Sequence, residues 1–174
     1  GKRICKTVLW CSVVVFLCGI LLPSLGNARE VRITDMAGRE HRFERSPQKL
    51  FALSPTGTIL LYTFAPDMMC GWNYVLTEKE AKYILPEYRN LPVLGGWFGK
   101  ATGNPEEILR AHPDALLAVE EMSPASVIFA EKIEQQLNLP VLLLDASLEE
   151  LGNTYRLLGE ITGRKTEAER LGSY

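Results

Sequence analysis

Beyond residue 28 this chain of 174 residues has one cysteine, Cys70. No disulfide can form within that stretch, and no four-cysteine zinc site can be built there. A cationic surplus is missing too. Lys2, Arg3 and Lys6 lie in the first 28 residues, which hold no acid, so 16 of the 19 basic groups face all 21 acidic ones in the remainder, a balance of −5. An acidic body excludes charge-driven, sequence-independent nucleic-acid binding, which needs a basic face. Histidine is scarce, with His41 and His112 the only two.

Two nucleotide signatures are also missing. Gly99-Lys100 lies in a glycine-rich turn, but Leu94 stands where a phosphate-binding loop needs its first glycine and Ala101 where it needs Ser or Thr. No Gly-x-Gly-x-x-Gly run follows any apolar segment. Ser54 ends an apolar run, a place where hydrolases put nucleophiles, yet Leu53-Ser54-Pro55-Thr56-Gly57 is not a Gly-x-Ser-x-Gly elbow. His41 falls in an expected hairpin and His112 at the end of an expected helix before Pro113, which leaves no usable base. Ser54 and Thr56 are better read as caps of the next helix or as donors to a ligand.

What is present begins with an address. Lys2, Arg3 and Lys6 precede fifteen uncharged residues, Val8 to Leu22, then Pro23 and the small-residue run Ser24 to Ala28. This pattern is a secretory signal peptide over 1–28, with cleavage after Ala28 and a destination beyond the cytoplasmic membrane. The competing reading is a retained anchor, since Thr7 to Ala28 is uncharged throughout; Pro23 and the polar residues after it shorten the apolar part. Trp10 and Leu17 are bulky where a lipoprotein signal places a small residue before its cysteine, so Cys11 and Cys18 are poor lipidation sites. A lone Cys70 suits an oxidising compartment.

Residues 29–47 read as a β-hairpin, with Val31 and Ile33 against His41 and Phe43 and Gly38 supplying the turn. From residue 50 onward, apolar runs Leu50–Leu53, Met68–Trp72, Val93–Leu94, Ala115–Val119 and Val141–Leu144 alternate with segments carrying helix-start signals. These signals are Thr77 with Glu80, Asn104 before Pro105 with Glu107, Ser123 before Pro124, Ser147 with Glu150, and Thr166 with Glu169. Leu148, Leu151, Tyr155, Leu158 and Ile161 share helical spacing, with Gly163 just past the end. Continuous apolar strands alternating with helices predict an α/β lobe over 48–164, a largely parallel sheet flanked by helices.

Ligands of such sheets sit beyond the carboxyl ends of the strands. That rule selects the loops Ser54–Thr58, Asn73-Tyr74, Gly95–Lys100, Glu120–Ser123 and Asp145-Ala146. Trp72, Tyr74, Trp97 and Phe98 concentrate aromatic surface there. Trp72 continues an apolar run and reads as core. Trp97-Phe98, between Gly96 and Gly99, reads as a loop displaying two large rings to a flat or bulky apolar ligand. Glu120-Glu121 admits a hard-cation reading, but adjacent loop carboxylates are more often solvated.

Ile33-Thr34-Asp35-Met36-Ala37-Gly38-Arg39, Ser46-Pro47, Leu50-Phe51-Ala52-Leu53-Ser54-Pro55, Asn104-Pro105-Glu106-Glu107-Ile108-Leu109 and Pro113-Asp114-Ala115-Leu116-Leu117 follow one another in order. Together they resemble the amino-terminal lobe of periplasmic substrate-binding proteins for iron-siderophore, haem and cobalamin ABC importers, over residues 30–171. The resemblance implies a single Rossmann-like lobe of a two-lobed, monomeric protein, a helical connector beginning over 165–174, and a second lobe absent from this sequence. It implies a metal chelate held between lobes and passed to an ABC-type permease of the inner membrane, with the chelate as cargo and no resident cofactor.

By the same resemblance the cleft residues are Ser54, Pro55, Thr56, Tyr74, Trp97 and Phe98, followed by Glu120, Glu121 and Met122. Lys100, the one cation in these loops, can meet a carboxylate or catecholate. The permease-docking acid falls at Glu106, or at Glu107 beside it. One departure is Ile59, which stands where many members of the family carry Glu. Absence of a basic cluster favours a less anionic chelate. The alternative function is an enzyme or chelatase-like module on the same lobe, with Glu120 or Glu121 as its acid–base group.

Overall fold

The computed structural model describes residues 30–173. The leader read at 1–28, with Cys5, Cys11 and Cys18, lies outside the described residues. Among the described residues no helix is long and apolar enough to cross a membrane.

The hairpin forms where the alternation placed it. Strand β1 (Val31–Thr34) pairs antiparallel with β2 (Glu40–Phe43), Ile33 opposite His41. Gly38 takes φ +79°, which side chains disfavour, and its N–H donates to the Asp35 carbonyl at 3.0 Å. The alternation buries Ile33, His41 and Phe43 and leaves Arg32 and Arg42 in solvent.

Three of the apolar runs make a parallel sheet in the order β3 (Leu50–Ala52), β4 (Ala115–Glu120), β5 (Val141–Asp145). Every residue from Leu116 to Ala118 and from Val141 to Leu144 is fully buried, as expected for a central strand and its neighbour covered on both sides. Successive side chains point to opposite faces and seed two cores. On one face Leu50, Ala52, Leu117, Leu142 and Leu144 pack with helices α1 (Pro55–Phe64), α5 (Leu151–Thr162) and α6 (Lys165–Gly172). On the other, Phe51, Leu53, Leu116, Ala118 and Leu143 meet Ile108 of α3 (Pro105–Ala111) and Ala130, Ile133 and Leu137 of α4 (Pro124–Leu137). A four-residue helix α2 (Glu78–Ala81) stands in the long connection between α1 and α3.

Strand β5 is one edge of this sheet, and the hairpin turn covers it. The Met36 N–H donates to the Leu143 carbonyl at 3.0 Å, and the Leu143 N–H donates to Asp35 Oδ2 at 3.2 Å. Arg39 bonds Asp35, Glu134 of α4 and the Val141 carbonyl, while His41 Nε2 lies 3.2 Å from Asp35. An unpaired strand edge is thus occupied by a charged turn from the same chain.

Several expectations need correction. Met68–Trp72 and Val93–Leu94 are not strands but single bridges, Met69 to Leu50 and Trp72 to Val93. The two segments run close at Gly71, where a Cβ would meet the Leu94 side chain and the Pro92 carbonyl, and their pairing is limited to the bonds from the Trp72 N–H to the Pro92 carbonyl and from the Leu94 N–H to the Trp72 carbonyl, both 2.8 Å. Ser147 does not cap a helix. Its N–H donates to Asp145 Oδ1 at 2.7 Å, a local turn that delays α5 to Leu151 and leaves Leu148 exposed, off the buried face. Thr166 is inside α6 rather than at its start, because Gly163 (φ +73°) ends α5 and the next helical bond already runs from Ala168 N–H to the Arg164 carbonyl. The box at Thr77 and the caps at Asn104 and Ser123 form as read, and Ser126 returns its side chain to the Ser123 N–H, which makes that cap a box as well.

Candidate functional site

The carboxyl ends of β3 and β4 are laced to the loops that follow them. Asn73 is buried, and its amide donates to the carbonyls of Ala52 and Gly95, both at 2.9 Å, while its oxygen accepts from Thr58 Oγ1. Beside it the Trp97 N–H donates to the Leu53 carbonyl at 2.8 Å. Gly96 permits that approach, since a Cβ at 96 would run into the same carbonyl. Through these bonds the end of β3, the turn at 73 and the loop Gly95–Lys100 form one rigid rim. At the other end of this edge the Ala146 N–H donates to the Glu120 carbonyl at 3.0 Å, joining the loops after β4 and β5.

Between the two lies an open pocket of about 300 Å³, lined by Trp97, Glu120, Glu121, Ser123, Ala125, Ser126 and Phe129. Three of the residues named from sequence are therefore brought together. The ring of Trp97 meets Phe129 edge-on, with centroids 6.5 Å apart and planes at 70°. Both rings flank the core beneath α4, so Trp97 is half-buried and fixed by packing. This corrects the expectation of a loop that displays two free rings. Phe98 is also half-buried, and its backbone pairs with Ala101 across a tight turn at Gly99.

Chemically the pocket is an aromatic wall facing acid. Glu120 is half-buried at the end of β4, and loss of water pushes its carboxyl above the ordinary carboxylate range. No hydrogen bond or ion pair holds that carboxylate among the described residues. Glu121 beside it is exposed. The hydroxyls of Ser123 and Ser126 are occupied with each other's backbone in the α4 cap, Ser126 Oγ donating to the Ser123 carbonyl at 2.7 Å. Among the described residues no group of three His, Cys, Asp or Glu converges as a metal site.

The remaining sequence-named residues do not line this pocket. Ser54 is buried as the N-cap of α1 and accepts from the Gly57 N–H at 3.4 Å, with Pro55 and Thr56 opening the helix. Tyr74 is exposed and donates its hydroxyl to Glu80 at 3.1 Å; loss of water and then that carboxylate push its hydroxyl above the ordinary phenol range. Lys100 is exposed, and Met122 packs from the rim onto the core below. Glu106 and Glu107 open α3, where Glu107 is held by Arg110 at 2.6 Å and Glu106 is exposed and makes no ion pair among the described residues. Sequence reading missed Phe129, Ala125 and Ser126 because they belong to α4 and reach the edge only when its first turns dock beside the loops. It placed Asn73 in one of the ligand loops, but a polar residue in a turn gives no sign that it is buried and braces two carbonyls.

No protein-family profile matches the sequence. No curated protein matches it either. Solved structures do. An ABC transporter solute binding protein from Sulfurospirillum deleyianum superposes with a TM-score of 0.71 at 20% identity, covering 82% of this chain and 45% of that one. The TroA-like periplasmic binding protein FepB from Veillonella parvula gives 0.64 at 18% identity over 82% and 45%. Staphylococcus aureus SirA complexed with staphyloferrin B gives 0.57 at 20% identity over 81% and 45%. The chain thus spans about half the length of these proteins, and its fold is that of one lobe of the TroA-like periplasmic solute-binding proteins.

Proposed function

We propose that this chain captures a metal chelate outside the cytoplasmic membrane and hands it to an ABC-type permease. The observation that carries the reading is the Trp97–Phe129 pocket at the carboxyl edge of a lobe with this fold. Aromatic walls with few polar groups bind a bulky chelate by stacking and desolvation, without ligating its metal. Ser54, Pro55, Thr56, Tyr74, Phe98, Lys100 and Met122 serve as the rim around it, and Glu106 as the permease contact. The resemblance in sequence and the neighbours' common role as binding proteins support capture over catalysis.

The test is titration of the purified chain with ferric siderophores, haem and cyanocobalamin, following Trp97 emission. Saturable quenching with the chelate recovered unchanged is the expected result. A chelate recovered modified, or stripped of its metal, would establish the enzymatic reading instead.

A further inference from the structure

The geometry points to a specific class of cargo, one that presents a cationic or N–H donor group to Glu120 while its apolar body lies on Trp97 and Phe129. This inference rests on the chelate-binding reading and narrows it. Among the described residues the lining of the pocket holds two carboxylates, Glu120 and Glu121, and no cation. Its hydroxyls at Ser123 and Ser126 are already engaged in the helix cap. A carboxylate that has lost part of its water and meets no protein donor among the described residues is best relieved by a ligand group that donates. Its carboxyl is held above the ordinary range by that same loss of water.

An ammonium, a guanidinium or a primary amide meets the requirement; a catecholate or carboxylate brings like charge against Glu120 and Glu121. Lys100, the cation of the neighbouring loop, is not part of the lining. The pocket therefore discriminates among chelates by the charge of their periphery, not by the metal. Neutral hydroxamates with a free amine and corrinoids with primary amides fit it. Tris-catecholates do not.

Gallium chelates test this, being diamagnetic and equal in charge to the ferric ones. The full chain, labelled with nitrogen-15, is titrated to millimolar concentration with three of them: a gallium trihydroxamate with a pendant ammonium, its N-acetylated form, and a trianionic gallium tris-catecholate. The reporter is the indole N–H of Trp97, assigned with W97F. The ammonium chelate is expected to bind at least about tenfold tighter than the tris-catecholate, and E120Q to cost it about tenfold while leaving the acetylated form within about twofold. E121Q, at an exposed position, is expected to lower the same preference by a smaller factor and serves if E120Q does not fold. A tris-catecholate that binds as tightly as the ammonium chelate, or a preference untouched by both variants, overturns the charge assignment and leaves chelate capture standing. No shift with any of the three chelates overturns both.

Discussion

The indole of Trp97 lies directly against Gly103: a methyl group at 103 would stand closer than 3.0 Å to three carbons of the ring. The missing side chain at 103 is what lets the ring sit over the loop and turn its edge to Phe129. Gly103 has no positive φ to favour glycine, so an alanine there acts on the ring rather than on the backbone. G103A is expected to push Trp97 off Phe129, shift its emission and weaken chelate binding, with a stability loss of about 1–3 kcal/mol typical of overpacking. An unchanged emission spectrum together with unchanged affinity would show that the packing of Trp97 does not shape the pocket.

Asp35 anchors the hairpin to the β5 edge, and its titration measures that anchor. Burial pushes its carboxyl up, but hydrogen bonds from His41, the Arg39 and Leu143 N–H groups and the Arg39 guanidinium outweigh it and hold it down to about 2. A carboxylate held below its unfolded value of 3.8 stabilises the fold fully above that value, and the contribution disappears as pH falls towards 2. The difference corresponds to about 2 kcal/mol. Urea midpoints measured from pH 6 to pH 2 are expected to fall less steeply for D35N than for the parent chain, with D35N already weaker at pH 6. Parallel curves would remove Asp35 from the acid response.

Most of this scaffold was legible because its signals are local. Leu50–Ala52, Ala115–Val119 and Val141–Leu144 are continuous apolar runs, and a run buried on both faces needs no information from elsewhere. Ser54, Asn104 and Ser123 each precede a proline at the first helical turn, which fixes the start. Legibility failed where a local signal met a competitor. Ser147 carries a cap pattern, but the Asp145 carboxylate takes its N–H first. Thr166 carries another, but Arg164, bound to Asp67 through two bonds of 2.6 Å and to the Phe64 carbonyl, already sets where α6 begins. Trp97 lines the pocket, but not as a ring displayed between Gly96 and Gly99: Gly96 and Gly103 make room for a ring fixed by packing, and Gly103 is too far along the chain to show that locally.

Cys70 is enclosed in the core with Phe51 and Leu94, and burial pushes its thiol up to about 11, from 9.0 in the open chain. A neutral, enclosed thiol neither attacks disulfides nor pairs with one. With Cys5, Cys11 and Cys18 replaced by serine, the folded chain is expected to resist an aromatic disulfide reagent at pH 8 and to react at once in denaturant. The sign at alkaline pH follows from the raised value: above about pH 9 the unfolded chain releases its thiol proton first, so stability falls as pH rises. C70A is expected to lose that alkaline slope. Rapid labelling of the folded chain would contradict the burial.

Glu106 and Glu107 occupy neighbouring positions in the first turn of α3 but are not equivalent. Glu107 is drawn back to Arg110 on its own helix, whereas Glu106 is exposed and unpaired among the described residues. Both interact with the helix dipole, a contribution of about 0.3–1 kcal/mol each that has nothing to do with a partner. If the acid that meets the permease is the free one, E106A lowers uptake and permease binding while chelate affinity, read at Trp97, stays unchanged. E107A then costs a few tenths of a kcal/mol of stability from its lost i,i+3 pair and leaves uptake near the parent level. The pair of variants separates docking from helix stabilisation, because the dipole effect is common to both. Equal uptake by E106A and the parent chain would take the docking role away from Glu106, and equal uptake by both variants would take it away from this helix.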